Sequence, residues 1–225
     1  MSFKYIVDHI PRDTPYNRRP SLPMTATTIT IHNTGNPSST AKNERAWLTN
    51  PSNDRQASYH IVVDEHEAIE CLPLKENAWH SGDGSSVKSG NRTSIGIEIC
   101  ESGDYTKTLN NAAELVAGML LARGWGVDRL RRHFDWSRKI CPRLMYDGGK
   151  WTGWEAFKKL VVAKMAGEEE TEMKKVEVYV NDKKLVDGLY DDKAGITYVP
   201  VRSVAESFGA TVGWDSKARR VDLKK

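Results

Sequence analysis

The sequence has no long apolar run, few cysteines and little net charge, and each shortage excludes a class of protein. Its uninterrupted apolar stretches are only a few residues long, whereas a membrane-spanning helix needs about 20, so we expect no membrane insertion. Three cysteines among 225 residues are too few, and odd in number, for a disulfide framework. Metal binding and thiol chemistry remain open uses for them.

The charge is nearly balanced overall but unevenly distributed along the chain. In total, 33 Lys and Arg face 30 Asp and Glu, a formal net charge of +3. Residues 1–167 carry 22 basic and 18 acidic side chains, residues 174–225 carry 11 and 8, and residues 168–173 contribute four glutamates. Weakly basic segments suit a polyanionic partner, but duplex DNA requires a concentrated basic face. We therefore expect no nucleic-acid partner.

The acidic stretch is interpreted as a linker, residues 167–174, between two domains. Before it, Trp154, Phe157 and Val161 lie at helical spacing and predict a helix that ends near Gly167. The strand-like segments 28–32, 59–64 and 94–100 and a predicted helix over 109–123 lie within the same stretch. Residues 1–166 are therefore predicted to form a mixed α/β domain.

A different pattern begins after the acidic stretch. Val176, Val178 and Val180 alternate with polar residues, as a strand with one buried face does. A turn, a second strand, a short helix ended by Gly209 and a closing hairpin over 210–223 follow. The prediction for 175–225 is a small ββαββ domain.

The segment from residue 133 to residue 142 contains two of the usual zinc ligands. His133 and Cys141 lie eight positions apart, and a catalytic zinc needs a third protein ligand and an open fourth position. His32 is the candidate, since it ends a predicted strand and precedes a loop. Spacing alone leaves alternatives open: His32 as a hydrogen-bonded strand-end residue, and Cys141 as a buried small apolar residue.

Four ordered segments resemble the zinc-dependent N-acetylmuramoyl-L-alanine amidases of the second amidase family, which include phage and prophage endolysins and share a fold with peptidoglycan-recognition proteins. These segments are Ile31 to Gly35, Tyr59-His60, Ile95 to Glu98, and His133 to Pro142. The resemblance implies a mixed central sheet flanked by helices and one Zn²⁺ held by His32, His133 and Cys141. It also implies hydrolysis of the amide bond between N-acetylmuramic acid and L-alanine in peptidoglycan.

The resemblance further implies groups that move protons, because an amide nitrogen is a poor leaving group unless it is protonated. Glu98 matches the family's general base and acid, and Tyr59 matches a donor to the water or the oxyanion. Lys139 matches a cation that stabilises the oxyanion. The plainer alternatives are a salt-bridged strand carboxylate, a packed tyrosine and a surface lysine. Asp135 is interpreted as orienting its loop or a metal-bound imidazole.

Substrate contacts are predicted from three further residues. His80 resembles a substrate-contacting histidine of the family, and Trp79 precedes it beside a glycine-rich loop. Asn33, directly after His32, completes this set. An aromatic ring and an imidazole beside such a loop suit a glycopeptide, and exposed loop packing is the alternative. No role is assigned to His60 or His66.

Residues 176–223 resemble the small domain named after the N-terminal domain of copper amine oxidase, through Tyr198 to Glu206 and Gly213 to Asp215. Copper is not implied, because the last histidine is His133 and the last cysteine is Cys141, which leaves this segment without the usual ligands. We expect the domain to bind the cell wall, where its positive charge faces anionic wall polymers. A stabilising or dimerising module is the alternative.

These inferences predict a phage or prophage lytic amidase. Because the N-terminus lacks the pattern of a signal peptide, we expect synthesis in the host cytoplasm and action at the cell wall after release. One alternative is a peptidoglycan-binding protein without activity. The presence of Cys141 argues against it, because relatives of that kind usually lack the cysteine ligand. The other is a zinc peptidase that cuts within the stem peptide.

Overall fold

The chain divides into two compact units, Met1–Glu168 and Glu169–Lys225. The computed structural model describes residues 3–167, 173–192 and 195–225. Most of the predicted linker, residues 168–172, therefore lies outside the described residues. Within the described part of the chain, no helix combines the length and the apolar character that crossing a membrane requires.

A six-stranded mixed sheet forms the centre of the first unit. Its spatial order is β1-β4-β3-β5-β2-β6, and only the β3–β4 pair is antiparallel. The strands are β1 (Lys4–Val7), β2 (Thr28–Asn33), β3 (Ile61–Val63), β4 (Glu67–Glu70), β5 (Ser94–Ile99) and β6 (Leu130–Arg132). The predicted mixed α/β class is confirmed.

Five helices accompany the sheet in the described part of this unit: α1 (Ala41–Trp47), α2 (Gly90–Thr93), α3 (Tyr105–Leu121), α4 (His133–Ser137) and α5 (Thr152–Met165). The helix predicted over 109–123 begins four residues earlier, as α3. The side chain of Asp104 accepts a hydrogen bond from the backbone N–H of Lys107 at 3.0 Å, and this cap extends the helix by one turn. Short 3₁₀ turns occur at Val127–Arg129 and Arg143–Met145.

Alternation along β2 and β5 gives the sheet one apolar and one polar face at its centre. Ile29, Ile31, Ile95 and Ile97 are completely buried on one face, in a core that includes the apolar stripes of α3 and α5. Each such side chain contributes about 1.5–3 kcal/mol through burial. The register pairs His32 with Glu98, so both belong to the opposite face.

A second apolar cluster lies on the same side of the sheet as His32 and Glu98, towards β4. Tyr59, Val62, Cys71 and Cys100 belong to it. All three cysteines are free and buried. Burial raises the pKa of the Cys71 and Cys100 thiols far above their usual value, as expected for core cysteines without thiolate chemistry.

The second unit contains a three-stranded antiparallel sheet, a helix and a hairpin. Its elements are β7 (Met173–Val180), β8 (Lys183–Asp191), β9 (Ile196–Tyr198), α6 (Val201–Ser207), β10 (Thr211–Asp215) and β11 (Arg220–Lys224). The prediction lacked β9, which pairs with β8 over three residues only. Such a short strand has too few alternating positions to be recognised in the sequence.

Candidate metal centre

The sheet brings two distant histidines together at one edge. His32 lies near the carboxyl end of β2 and is 2% exposed. β6 runs parallel to β2, with Arg132 opposite Ile31. His133 follows Arg132 directly, so it arrives beside His32, and their Nδ1 atoms are 3.1 Å apart.

Cys141 returns to the same place through a tight turn after α4. Arg138, which ends the helix, has a φ of 65°, and the backbone N–H of Phe134 donates to the Cys141 carbonyl at 3.1 Å. The Cys141 Sγ lies 3.7 Å from the His32 Nδ1. The side chain of Asp135 accepts a hydrogen bond from the Arg132 backbone N–H at 2.7 Å, so it orients the start of this helix, as one of its two predicted uses requires.

The separations between these donor atoms fit a tetrahedral zinc ion. One ligand atom from each of His32, His133 and Cys141 lies within 4.8 Å of the others. Two nitrogens at about 2.0–2.1 Å from zinc would be about 3.4 Å apart, and a nitrogen and a sulfur about 3.6 Å apart. The distances of 3.1 Å and 3.7 Å, both from the His32 Nδ1, are close to these values, and the donor atoms of His133 and Cys141 lie within 4.8 Å of each other. Two imidazoles and one thiol also leave the open position of a catalytic site.

The environment keeps both imidazoles neutral, as metal ligands must be. Burial lowers the pKa of His32 well below its usual value, and the electrostatic effects of His80, His133 and Lys139 lower it further. Burial and Lys139 lower the pKa of His133 to about 4. For Cys141, burial and the charge of Glu98 raise the pKa to about 12. A bound dication would reverse that shift and favour the thiolate.

Glu98 faces the centre from the neighbouring strand. Its Oε1 is 3.9 Å from the His32 Nδ1, and its side chain is 15% exposed. Its Oε2 is buried and has no hydrogen-bond partner among the described residues. Burial and the negative charge of Glu44 raise the Glu98 pKa to about 8, while Lys139 opposes this shift. Such a carboxyl group can hold or release a proton near neutral pH.

Lys139 lies at the rim of the centre and is exposed. Its positive charge lowers the pKa of His32, His133 and Cys141. The cation is therefore close enough to act on negative charge that develops near these residues.

Tyr59 is directed towards α1 rather than towards the three ligands. Its hydroxyl donates to the backbone carbonyl of Glu44 at 2.7 Å, and the ring packs in the second apolar cluster. Burial raises its pKa well above the usual value, with a contribution from Glu98. Its catalytic role stays a prediction.

The residues predicted to contact substrate lie in three different environments. The side chain of Asn33 is buried and bridges the Tyr105 hydroxyl, at 3.1 Å, and the Leu144 backbone N–H, also at 3.1 Å. Trp79 is half-buried and donates from Nε1 to the Asn17 carbonyl at 2.8 Å. His80 is buried directly behind His32, with 3.1 Å between its Nδ1 and the His32 Nε2. Their contacts with substrate stay predictions.

The sequence interpretation missed two residues that support this region. The Asn91 side chain accepts hydrogen bonds from the backbone N–H groups of His80, at 2.7 Å, and Ser81, at 2.8 Å. A Cβ atom at Gly96 would lie 2.7 Å from the His80 ring, so only glycine leaves room for it. A glycine inside a predicted strand was the available signal, since it marks a close approach of another group.

His60, to which the sequence assigned no role, is expected to make the metal-free protein sensitive to acid. Its Nδ1 accepts the Gly96 N–H at 2.9 Å, and its Nε2 donates to the Glu76 carbonyl at 2.8 Å. Burial lowers its pKa from 6.5 to about 4, although the charges of Glu70 and Glu76 oppose this. The unfolded chain therefore binds more protons between these values, and stability falls as the pH is lowered through this window.

A pair of urea titrations measures this effect. The contribution of His60 to the free energy of unfolding should fall by about 3 kcal/mol between pH 7 and pH 4, at 1.36 kcal/mol per pKa unit. The titrations compare the metal-free wild type with metal-free His60→Gln. Because all other titrating groups are present in both proteins, the difference in pH dependence reports on His60 alone. A smaller pH dependence in the variant is expected, and identical dependence in the two proteins would refute the assignment.

Two imidazoles and a thiol at the edge of a mixed sheet, beside a buried carboxyl group, form a candidate metal site with the kinds of ligand that metal-dependent hydrolases use. The sequence model of N-acetylmuramoyl-L-alanine amidase matches residues 22–144, more than half of the chain. The chain therefore belongs to the N-acetylmuramoyl-L-alanine amidase family. The model of the copper amine oxidase N-terminal domain matches residues 147–223. It overlaps α5, whose Trp154, Phe157 and Val161 nevertheless pack in the first unit's core.

Individual relatives agree with the family match. The chain is 41% identical over 150 residues to the N-acetylmuramoyl-L-alanine amidase CwlA of Bacillus subtilis, covering 65% of this chain and 54% of that protein. It is 46% identical over 132 residues to XlyB of Bacillus subtilis, covering 57% and 40%. The chain thus spans about half the length of the curated relatives it matches.

The solved catalytic domain of XlyA is similar in structure, with a TM-score of 0.63 and 38% identity, over 70% of this chain and 99% of that domain. The structure of PlyL gives a TM-score of 0.59 and 34% identity, over 72% of this chain and 97% of PlyL. Both structures resemble the chain in sequence as well as in fold.

Proposed function

We propose that the chain is a zinc-dependent amidase that hydrolyses the bond between N-acetylmuramic acid and L-alanine in peptidoglycan. The observation that carries this proposal is the joining of His32, His133 and Cys141 from three separate segments, at distances that suit zinc. It is supported by relatives named for this amidase activity. A similar solved structure is described as a mutant endolysin from Bacillus subtilis. We therefore also propose that the chain is made in the host cytoplasm and acts at the cell wall after its release.

The mechanism divides the work between the metal and the side chains around it. Zinc in such a site supplies polarisation of the substrate carbonyl and acidification of a water molecule. Glu98, whose carboxyl group faces the centre, accepts the proton of the attacking water and passes it to the leaving nitrogen. Lys139 places positive charge near the carbonyl oxygen as that atom becomes negative. His32, His133 and Cys141 would hold the metal.

Mass spectrometry of digested peptidoglycan tests the bond specificity. The proposal predicts intact glycan strands and free stem peptides that begin with L-alanine. Peptides shortened from within would identify a peptidase that cuts the stem. Sedimentation with the wall and no released product would identify a binding protein. Glycan fragments that retain their peptides would exclude both zinc peptidase and amidase activity.

For the second unit we propose a role in holding the enzyme on the wall. It carries a net charge of +3 over residues 174–225, opposite in sign to anionic wall polymers. The aromatic side chains of Tyr198 and Trp214 are 50% and 61% exposed, and exposed aromatic rings are common in binding surfaces. A tethered binding module raises the effective concentration of the catalytic unit at an insoluble substrate.

Deletion of residues 169–225 is expected to separate binding from catalysis. Cleavage of a soluble muropeptide should remain close to that of the full chain, because the metal centre lies entirely within the first unit. The fraction that sediments with purified walls should fall. Unchanged sedimentation of the shortened chain would disprove the targeting role, and loss of muropeptide cleavage would show that catalysis needs the second unit.

A further inference from the structure

The ring of His80 is fixed in one tautomer by a neighbouring carbonyl. Its Nε2 lies 3.0 Å from the Ser94 backbone oxygen. A carbonyl oxygen can only accept a hydrogen bond, so Nε2 carries the proton and Nδ1 of this neutral ring is left as an acceptor. The ring is buried, and burial of this kind favours the neutral imidazole over the charged one.

This arrangement determines the tautomer of His32 as well. The His80 Nδ1 is 3.1 Å from the His32 Nε2, and because Nδ1 accepts, the His32 Nε2 must donate. The His32 Nδ1 therefore carries a lone pair. That atom is the one directed at His133 and Cys141, at 3.1 Å and 3.7 Å.

The other imidazole ligand is supported by the next residue. The His133 ring lies against the backbone of Ser81 and Gly82, with its Nε2 3.3 Å from the place that a Cβ atom of residue 82 would occupy. A proton on that side of the ring would leave the His133 Nδ1 with a lone pair as well. Two lone pairs that face each other repel unless a cation lies between them, so this short segment prepares both imidazoles for a metal.

Residues other than the proposed metal ligands hold His80 in place. Asn91 holds the backbone N–H groups of His80 and Ser81, and the absence of a side chain at Gly96 leaves room for the His80 ring. His80 is only 8% exposed. Both nitrogens of the ring are therefore engaged within the protein.

We infer that His80 is a positioning residue, which fixes the Nε2–H tautomer of His32 and so presents the His32 Nδ1 to the metal. This inference rests on the proposed zinc site. It assigns to His80 no contact with the reacting atoms. It also gives a reason for glycine at position 96, where any side chain would displace the positioning ring.

Two substitutions separate the two nitrogens of His80. In His80→Asn, the amide oxygen can take the place of Nδ1 and still accept from the His32 Nε2. In His80→Gln, the amide nitrogen can take the place of Nε2 and donate to Ser94, but the acceptor for His32 is lost. Outer partners of this kind typically change metal affinity by about 10- to 100-fold. We expect a loss in that range for His80→Gln and at most a few-fold loss for His80→Asn.

The affinities are measured by competition with a chromophoric zinc chelator on the full chain, with folding checked by circular dichroism. His60→Gln is the matched control. It also removes an Nδ1 acceptor, but the His60 ring lies behind His80, and its Nδ1 accepts from the Gly96 backbone N–H rather than from His32. Its zinc affinity should equal that of wild type. Equal losses in His80→Asn and His80→Gln, or no loss in either, would overturn the inference. Failure of wild type to bind zinc would instead overturn the proposed function.

A measurement on unmodified protein covers the case in which a variant does not fold. Long-range ¹H–¹⁵N correlation spectra of the metal-free wild type report which nitrogen of each histidine bears the proton. The inference predicts the Nε2–H form for both His32 and His80. A His32 signal from the Nδ1–H form would contradict it, whatever the zinc affinity.

Discussion

Replacing Cys141 by serine is expected to abolish amide hydrolysis and to weaken zinc binding by more than about 10²-fold, since changes to outer partners alone reach that size. The hydroxyl of serine does not ionise near neutral pH and cannot replace a thiolate as a ligand. Cys141 is only 4% exposed, and serine is smaller, so the surrounding turn should keep its conformation. Zinc content by mass spectrometry and cleavage of a soluble muropeptide measure the two effects.

Cys100→Ala provides the control for this substitution. Cys100 is also completely buried and free, but it belongs to the second apolar cluster rather than to the metal centre. The variant should lose some stability through the small cavity and keep its zinc and its activity. Full hydrolytic activity of the Cys141 variant with no metal bound would refute the proposed mechanism.

The second large effect is expected from Glu98→Gln, which should lower turnover by about 10²- to 10⁴-fold, the usual contribution of a general acid or base. The amide is nearly the same shape as the carboxyl group but cannot accept and return a proton. Glu98 lies 3.9 Å from the His32 Nδ1, too far for a direct hydrogen bond. Zinc content should therefore remain at one ion per chain, and a steady-state assay with metal analysis separates the two.

Glu101→Gln tests whether loss of any nearby carboxylate has the same result. Glu101 is ion-paired with Arg143 and accepts from the Gly35 backbone N–H at 3.0 Å, so both of its carboxylate oxygens are already engaged. Its variant should retain most of its turnover. Turnover near that of wild type in Glu98→Gln would move proton transfer to Tyr59, even though its hydroxyl donates to Glu44.

The sequence is sufficient to predict which three residues form the candidate metal site, because the resemblance of four ordered segments to an amidase family adds to what spacing alone leaves open. Alternation predicts the strand that carries His32, and His133 and Cys141 lie eight positions apart. The direction in which a side chain points depends on contacts far apart in the sequence. His80 was predicted to be part of the site, but only its hydrogen bonds to His32 and Ser94 place it behind a ligand.

The smaller errors in the fold have the same origin. The three residues of β9 become a strand by pairing with β8. The beginning of α3 depends on a single side chain, Asp104. The sequence assigned His60 no role, yet its burial between Gly96 and Glu76 gives it a lowered pKa, which is expected to make the metal-free protein sensitive to acid. In each case a tertiary contact supplies what the local pattern lacks.

Stepwise return of zinc to metal-stripped protein decides whether the chain is a zinc-dependent amidase, with the new L-alanine N-termini formed in purified peptidoglycan as the readout. Activity should be absent without metal, rise in proportion to added zinc and reach its maximum at one zinc per chain. The Cys141→Ser protein should show no such rise under the same conditions. Undiminished release of L-alanine termini by the metal-stripped wild type would contradict the account.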